Sequence, residues 1–240
     1  MLEKLLLNFN AEVFRHKNFD LNYRVFNPEK PQTENTKYPL ILFLHGAGER
    51  GSDNTLQLRH GVEELLDFTL RKKSPAIILA PQCPLEAQWV DVAMREPKNL
   101  VPEKPSQALS AVFSLLDKLL VDLPVDSHRL YITGLSMGGF GTWDTLYRKP
   151  DIFAGAIAIC GGGDPATAPN VSRTPVQVFH GGADPIILPS RSREMVEAVR
   201  KAGGRITYTE YPAVNHDSWT QTYHNDEVLD WLFSQRRFTP

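Results

Sequence analysis

Residues 130–141 read Leu-Tyr-Ile-Thr-Gly-Leu-Ser-Met-Gly-Gly-Phe-Gly, and they restrict the fold more than any other stretch. An apolar, β-rich run enters a Gly-x-Ser-x-Gly pentapeptide and leaves through small residues into a helical pattern over 142–148. A serine hydroxyl becomes a useful nucleophile only when it stands clear of the backbone, beside a base and at the positive end of a helix. The turn that presents it so is strained, and Gly134 and Gly138 remove Cβ atoms that would obstruct it. Taken alone, the pentapeptide is equally consistent with a glycine-rich turn carrying an incidental serine. Its meaning depends on what the other strand ends supply.

The remaining periodicities predict strands alternating with helices. Runs at 12–16 and 21–26 mix apolar and polar residues, as antiparallel strands at a half-exposed sheet edge do. Residues 27–37 are rich in Pro, Thr, Asn and Glu and read as a surface connection. The continuous apolar runs at 38–44, 76–80 and 155–159 fit strands buried on both faces, 176–179 reads as a further short strand, and 206–211 alternates as a last strand. Helical spacing is expected around 56–70, 107–120, 191–201 and 227–233, with a long proline-punctuated loop at 81–105. This order implies βαβ units and a mainly parallel sheet of about eight strands, opened by two antiparallel strands. A single α/β domain over 1–240 is expected, with edge strands and a connection in 1–37 and the core in 38–240. No insert has the length of a large cap.

Composition excludes some partners. Hydrophobic residues make up 42% and charged residues 22% of the 240, so a sizeable core is available. A formal net charge of −2 leaves no electrostatic footprint for nucleic acid or an anionic membrane. No window approaches the ~18 apolar residues of a membrane span. The start, Met-Leu-Glu-Lys-Leu-Leu-Leu-Asn, carries an early acid and lacks a small-residue cleavage site, so it does not read as a secretory signal. A cytoplasmic address is expected, or a secreted one if a signal was removed. Cys83 and Cys160 are too few for a disulfide framework and are expected as buried thiols.

In an open α/β sheet, ligands lie beyond the carboxyl ends of the strands. Here those ends present His45-Gly46-Ala47, Pro81-Gln82, Ser136, Cys160-Gly161, Asp184 and a loop with His216. Ser136, Asp184 and His216 are a nucleophile, an acid and a base, in that chain order. Asp217 is a rival acid, but neighbours in one loop seldom aim at each other, so it is expected to bond locally. Of the seven histidines, His216 alone occupies the position of a general base. His45 is expected to brace its loop, and His180 to be structural. Two pre-set donors would receive a tetrahedral oxyanion: the amides of Met137, next after the nucleophile, and of Ala47.

The motifs Leu-His-Gly-Ala-Gly-Glu-Arg-Gly, Ala-Pro-Gln-Cys-Pro, Gly-Leu-Ser-Met-Gly-Gly and Asn-His-Asp-Ser-Trp together resemble the α/β-hydrolase superfamily. Within it, the chain is similar to bacterial serine esterases near the feruloyl and acetylxylan esterases and the polyhydroxybutyrate-depolymerase-like proteins, with relatives among peptidases of the prolyl oligopeptidase type. The resemblance covers about residues 38–240. It implies a Ser136–His216–Asp184 triad with an oxyanion hole at Ala47 and Met137.

Gln82, Trp89, Trp143 and Trp219 are candidates to line the substrate site, where aromatics would suit an aryl or sugar face. Packing of loops over the sheet is the competing role for each. Without a cap, short-chain, aryl or carbohydrate-linked (feruloyl or acetyl) esters are the expected substrates. A serine peptidase and a low-turnover binding protein are the alternatives, while Ser at the elbow disfavours a thiol lactone hydrolase or a dehalogenase. The sequence shows no metal-ligand cluster and no phosphate-cradling loop, so no cofactor is expected. Ester turnover should therefore persist in excess chelator. Loss of activity with EDTA that an added divalent metal restores would contradict this.

Overall fold

The computed structural model describes residues 2–28 and 36–237; most of the expected surface connection at 27–37 lies outside the described residues. In chain order the elements are α1 (Leu2–Asn8), β1 (Asn10–His16), β2 (Phe19–Phe26), β3 (Tyr38–Leu44), α2 (Val62–Arg71) and β4 (Ile77–Gln82). There follow α3 (Gln107–Asp122), β5 (Val125–Leu135), α4 (Met137–Arg148), β6 (Gly155–Ile159), α5 (Ala168–Val171) and β7 (Val176–Gly181). The chain continues through α6 (Ser190–Lys201), β8 (Ile206–Tyr211), α7 (Trp219–Tyr223) and α8 (Asp226–Ser234).

The eight strands form one sheet in the order β1-β2-β4-β3-β5-β6-β7-β8. From β4 to β8 every pairing is parallel. β2 runs against both its neighbours, so β1 regains the direction of the parallel set. From β3 the chain steps to β4 on one side and then crosses to β5 on the other. That reversal opens a crevice beyond the carboxyl ends of β3 and β5, where open α/β sheets hold their ligands.

Both faces are covered, which is why the central strands read as unbroken apolar runs. In β3, Leu40, Leu42 and Leu44 join the core under α3, α4 and α6. Ile41 and Phe43 point the other way, into the core with α2, α8 and Tyr223. Helix α1, which the sequence reading did not anticipate, adds Leu5 to that second core, and Phe9 just after it joins the same core.

The helical spacing expected at 56–70 resolves into a 3₁₀ turn at Leu56–Leu58 and the separate helix α2. The break is Gly61, with φ +79°; a Cβ there would stand 2.6 Å from the Tyr223 ring and 2.9 Å from Phe43. The elbow helix expected at 142–148 starts five residues earlier, at Met137. Three glycines in its first five positions lower local helix propensity, and tertiary contact overrides that preference.

Short α7, missed at the sequence level, is tied to the centre of the sheet. The Tyr223 and Thr133 hydroxyls lie 2.8 Å apart, both residues fully buried. Tyr223→Phe orphans a buried polar group and should destabilise the protein by about 1–3 kcal/mol. Urea unfolding checks this; an unchanged midpoint would contradict it.

Candidate active site

Strand β5 ends at Leu135 and α4 begins at Met137, so Ser136 alone makes the turn. Its φ of 53° and ψ of −116° are a conformation side chains rarely adopt, costing about 1–3 kcal/mol. Backbone bonds hold it there. The Ser136 N–H donates to Ile159 O at 2.9 Å, and Ser136 O accepts from the Phe140 amide at 3.1 Å. The glycines make the close approach possible: a Cβ on Gly138 would lie 1.8 Å from Leu44 O, and one on Gly134 would lie 2.3 Å from Gly138 O.

Asp184 and His216 come from the turns after β7 and β8. Those turns are laced together by Gly182 N–H to Tyr211 O, 2.8 Å, and Ala183 N–H to Val214 O, 3.0 Å. His216 Nδ1–H donates to Asp184 Oδ2 at 2.7 Å, and His216 Nε2 receives the Ser136 hydroxyl at 2.9 Å. Serine, imidazole and carboxylate thus form one continuous hydrogen-bonded line across three strand ends. Asp184 Oδ1 accepts the amides of Ile186, 2.8 Å, and Ile187, 3.1 Å. Burial pushes this carboxyl up, but hydrogen bonds from His180, His216 and the two amides outweigh it and hold the group far below the ordinary carboxylate range. Asp184 therefore stays an anion beneath the imidazole. Asp217 accepts from the Thr220 amide and hydroxyl, a local bond of the kind expected for it.

The loop after β3 stands against the elbow. A Cβ on Gly46 would lie 2.8 Å from the Leu135 side chain. Ala47 opens a 3₁₀ turn and Met137 opens α4, positions whose amides have no carbonyl partner within their own helix. His45 braces the loop from inside. It accepts the Cys83 amide at Nε2, 2.9 Å, so its proton is on Nδ1 and donates to Gly46 O, 2.6 Å. Arg50 adds bonds to Ala47 O, 3.0 Å, and Ala87 O, 3.2 Å. Glu49, buried in the same turn, lies 3.7 Å from His60 Nε2.

Three of the residues expected to line the substrate site are buried. Gln82 is buried; its amide bridges the turn at residues 49–54 by accepting Asn54 N–H, 2.7 Å, and donating to Glu49 O, 3.2 Å. Trp89 is fully buried because its indole N–H reaches His45 O, 3.0 Å, turning the ring under the loop. Trp143 lies in the core between α4 and the loop after β6. Trp219 is placed differently: half-buried, it stands edge-on to the His216 ring, centroids 5.4 Å apart at 87°. Cys83 and Cys160 are buried free thiols, and burial raises both, Cys83 to about 12. The sequence reading missed the contact of His180 with Asp184, although their four-residue spacing in His-Gly-Gly-Ala-Asp is its trace.

The profile of the phospholipase/carboxylesterase family matches residues 23–225. The chain superposes on the crystal structure of a thermostable esterase with a TM-score of 0.88 and 39% identity, over 98% of this chain and 64% of that one. It therefore spans less than two thirds of that esterase chain. Lysophospholipase-like protein 1 of Mus musculus is 25% identical over 192 residues, 74% of this chain and 79% of that protein. A ferulic acid esterase shares the fold, at TM-score 0.70 and 19% identity, over 94% of this chain and 97% of that one.

Burial lowers His45 from its ordinary value of 6.5 to about 4, with the Gly46 bond opposing. A folded-state value below the unfolded one means that the unfolded chain takes the proton first as pH falls. Stability contributed by His45 is thus complete above pH 6.5 and is lost between 6.5 and about 4. The loss should approach about 3 kcal/mol. Urea unfolding at pH 7, 5.5 and 4.5 measures it, and His45→Gln should flatten the slope. An equal slope in both proteins would contradict the assignment.

Proposed function

The chain belongs to the phospholipase/carboxylesterase family of α/β-hydrolases, carboxylesterase-type enzymes, and from that premise we propose that Ser136 attacks the carbonyl of a short-chain, aryl or carbohydrate-linked ester. The observation that carries this reading is the unbroken line from Ser136 Oγ through His216 to Asp184 Oδ2, 2.9 and 2.7 Å. His216 takes the hydroxyl proton as the serine attacks. Asp184, held ionised by its four N–H donors, fixes the tautomer that leaves Nε2 free and stabilises the imidazolium. The amides of Met137 and Ala47 receive the developing oxyanion; they are fixed before substrate arrives, so no reorganisation is needed at the moment of attack. His216 then returns the proton to the leaving alkoxide. Water, activated by the same imidazole, releases the acyl group from Ser136.

Two features support the choice of substrate class. Among the described residues, the segment between β6 and β7 contains only a 3₁₀ turn and the four-residue α5, so no large helical cap encloses a long acyl chain. Trp219 offers an aromatic face beside the base. No described feature favours the peptidase reading over an ester hydrolase.

Hydrolysis of p-nitrophenyl acetate, butyrate and octanoate, methyl ferulate and a peptide anilide tests both steps. The acetate and butyrate should outpace the octanoate. Ser136→Ala should lower kcat by at least about 10³-fold. Ester turnover surviving that change would remove Ser136 as the nucleophile, and cleavage of the anilide alone would establish a peptidase.

A further inference from the structure

A second imidazole meets the same Asp184 oxygen that His216 does. His180 is in β7, fully buried, with its Nε2 3.2 Å from Asp184 Oδ2 and 2.9 Å from Ile187 O. Both neighbours are acceptors, so Nε2 carries a proton and is shared between them. On the opposite edge of the ring, Nδ1 is 2.8 Å from Ser192 Oγ, which lies 3.0 Å from Gly161 O. Ser192 belongs to α6 and Gly161 follows β6, so the ring is clamped between three elements. Asp184 Oδ2 thus has two imidazole donors, one on the solvent side that meets Ser136 and one sealed in the core.

We propose that His180 is a positioning residue for the triad: its Nε2–H orients the Asp184 carboxylate and takes part of the charge that Oδ2 would otherwise concentrate on His216. The inference rests on the catalytic reading of Ser136, His216 and Asp184. Two carboxylate oxygens are held from the protein side, Oδ1 by the Ile186 and Ile187 amides and Oδ2 by His180, so the plane of the acid is set without help from His216. His216, on a loop and half-buried, then docks onto an acceptor already in place. The other ionisable groups around this pair are accounted for. Glu210 of β8, opposite His180 in the strand register, is taken up by Arg193 and Tyr208. Cys160 at the end of β6 is a buried neutral thiol, and Asp217 is bound to Thr220.

The sign of the effect follows from charge sharing. Without the Nε2 donor, Oδ2 becomes a stronger acceptor for His216, which favours the protonated, inactive imidazole. The acid limb of the kcat/KM profile should move to higher pH. His180→Asn removes the donor at the Nε2 position, whereas His180→Gln places an amide N–H close to it. With p-nitrophenyl acetate, His180→Asn should lower kcat about tenfold. It should also raise the midpoint of the acid limb by about half a pH unit or more. His180→Gln should recover most of the rate and return the limb toward its original position. If His180→Asn fails to fold, Ser192→Ala, which loosens the clamp behind the ring, should give a smaller shift in the same direction. A folded His180→Asn, or in its absence a folded Ser192→Ala, with the original acid limb would overturn the proposal. Asp184→Asn separates the two readings: if it leaves activity intact, the triad assignment fails, and if it abolishes activity while the His180 and Ser192 variants keep the original acid limb, only the role of His180 does.

Discussion

The close approach of α4 to the ends of β3, β5 and β6 is the constraint on which this site depends. Gly138 lies so near Leu44 that any Cβ would overlap its carbonyl oxygen, and Gly139 stands in the same relation to Ile159 O. Residues with side chains would push the helix off the sheet. Because the helix is seated directly on three strand ends, its first turn follows Ser136 without a linker. The serine has no room for an ordinary conformation and is held at φ 53°. The strain is local, and it is sustained by the packing of α4 against β5, where Met137, Phe140, Trp143 and Leu146 enter the core.

The other members of the site are fixed by a second device, the lacing of neighbouring turns. β7 and β8 are adjacent and parallel, so their carboxyl-terminal turns emerge side by side. The Gly182 and Ala183 amides bond across to Tyr211 and Val214 and set the separation of Asp184 and His216 before any side chain is considered. The loop after β3 is braced in a different way, by the buried, neutral His45, by Gln82 at the end of β4 and by Trp89 reaching in from the segment after it. Polar groups in these loops are thus spent on holding backbone in place, which leaves Ser136, His216 and Trp219 half-buried at the crevice.

Periodicity was enough to place the buried strands, since a strand covered on both faces must be apolar throughout. The runs at 38–44 and 155–159 coincide with β3 and β6, and the alternating run at 206–211 coincides with β8 at the half-exposed sheet edge. Local signals failed where tertiary contact opposed them. The glycines of α4 argue against a helix that the sheet nonetheless stabilises, and Gly61 divides a continuous helical pattern because Tyr223 occupies the place of its Cβ. Helices α1 and α7 are too short for a periodic signal and take their stability from the core they cover.

The sequence by itself determined the α/β-hydrolase architecture, the serine at the elbow and the three strand ends that carry Ser136, Asp184 and His216. Each of these rests on patterns local to one segment and on the order of segments along the chain. Only the tertiary structure decided which polar and aromatic side chains face the crevice. Gln82, Trp89 and Trp143 follow strand or elbow motifs as closely as Trp219 does, but hydrogen bonds to distant backbone turn the first two inward and core packing encloses the third. The second imidazole on Asp184 was hidden for the same reason. A side chain's direction within a packed core depends on partners far away in sequence, and no local pattern encodes it.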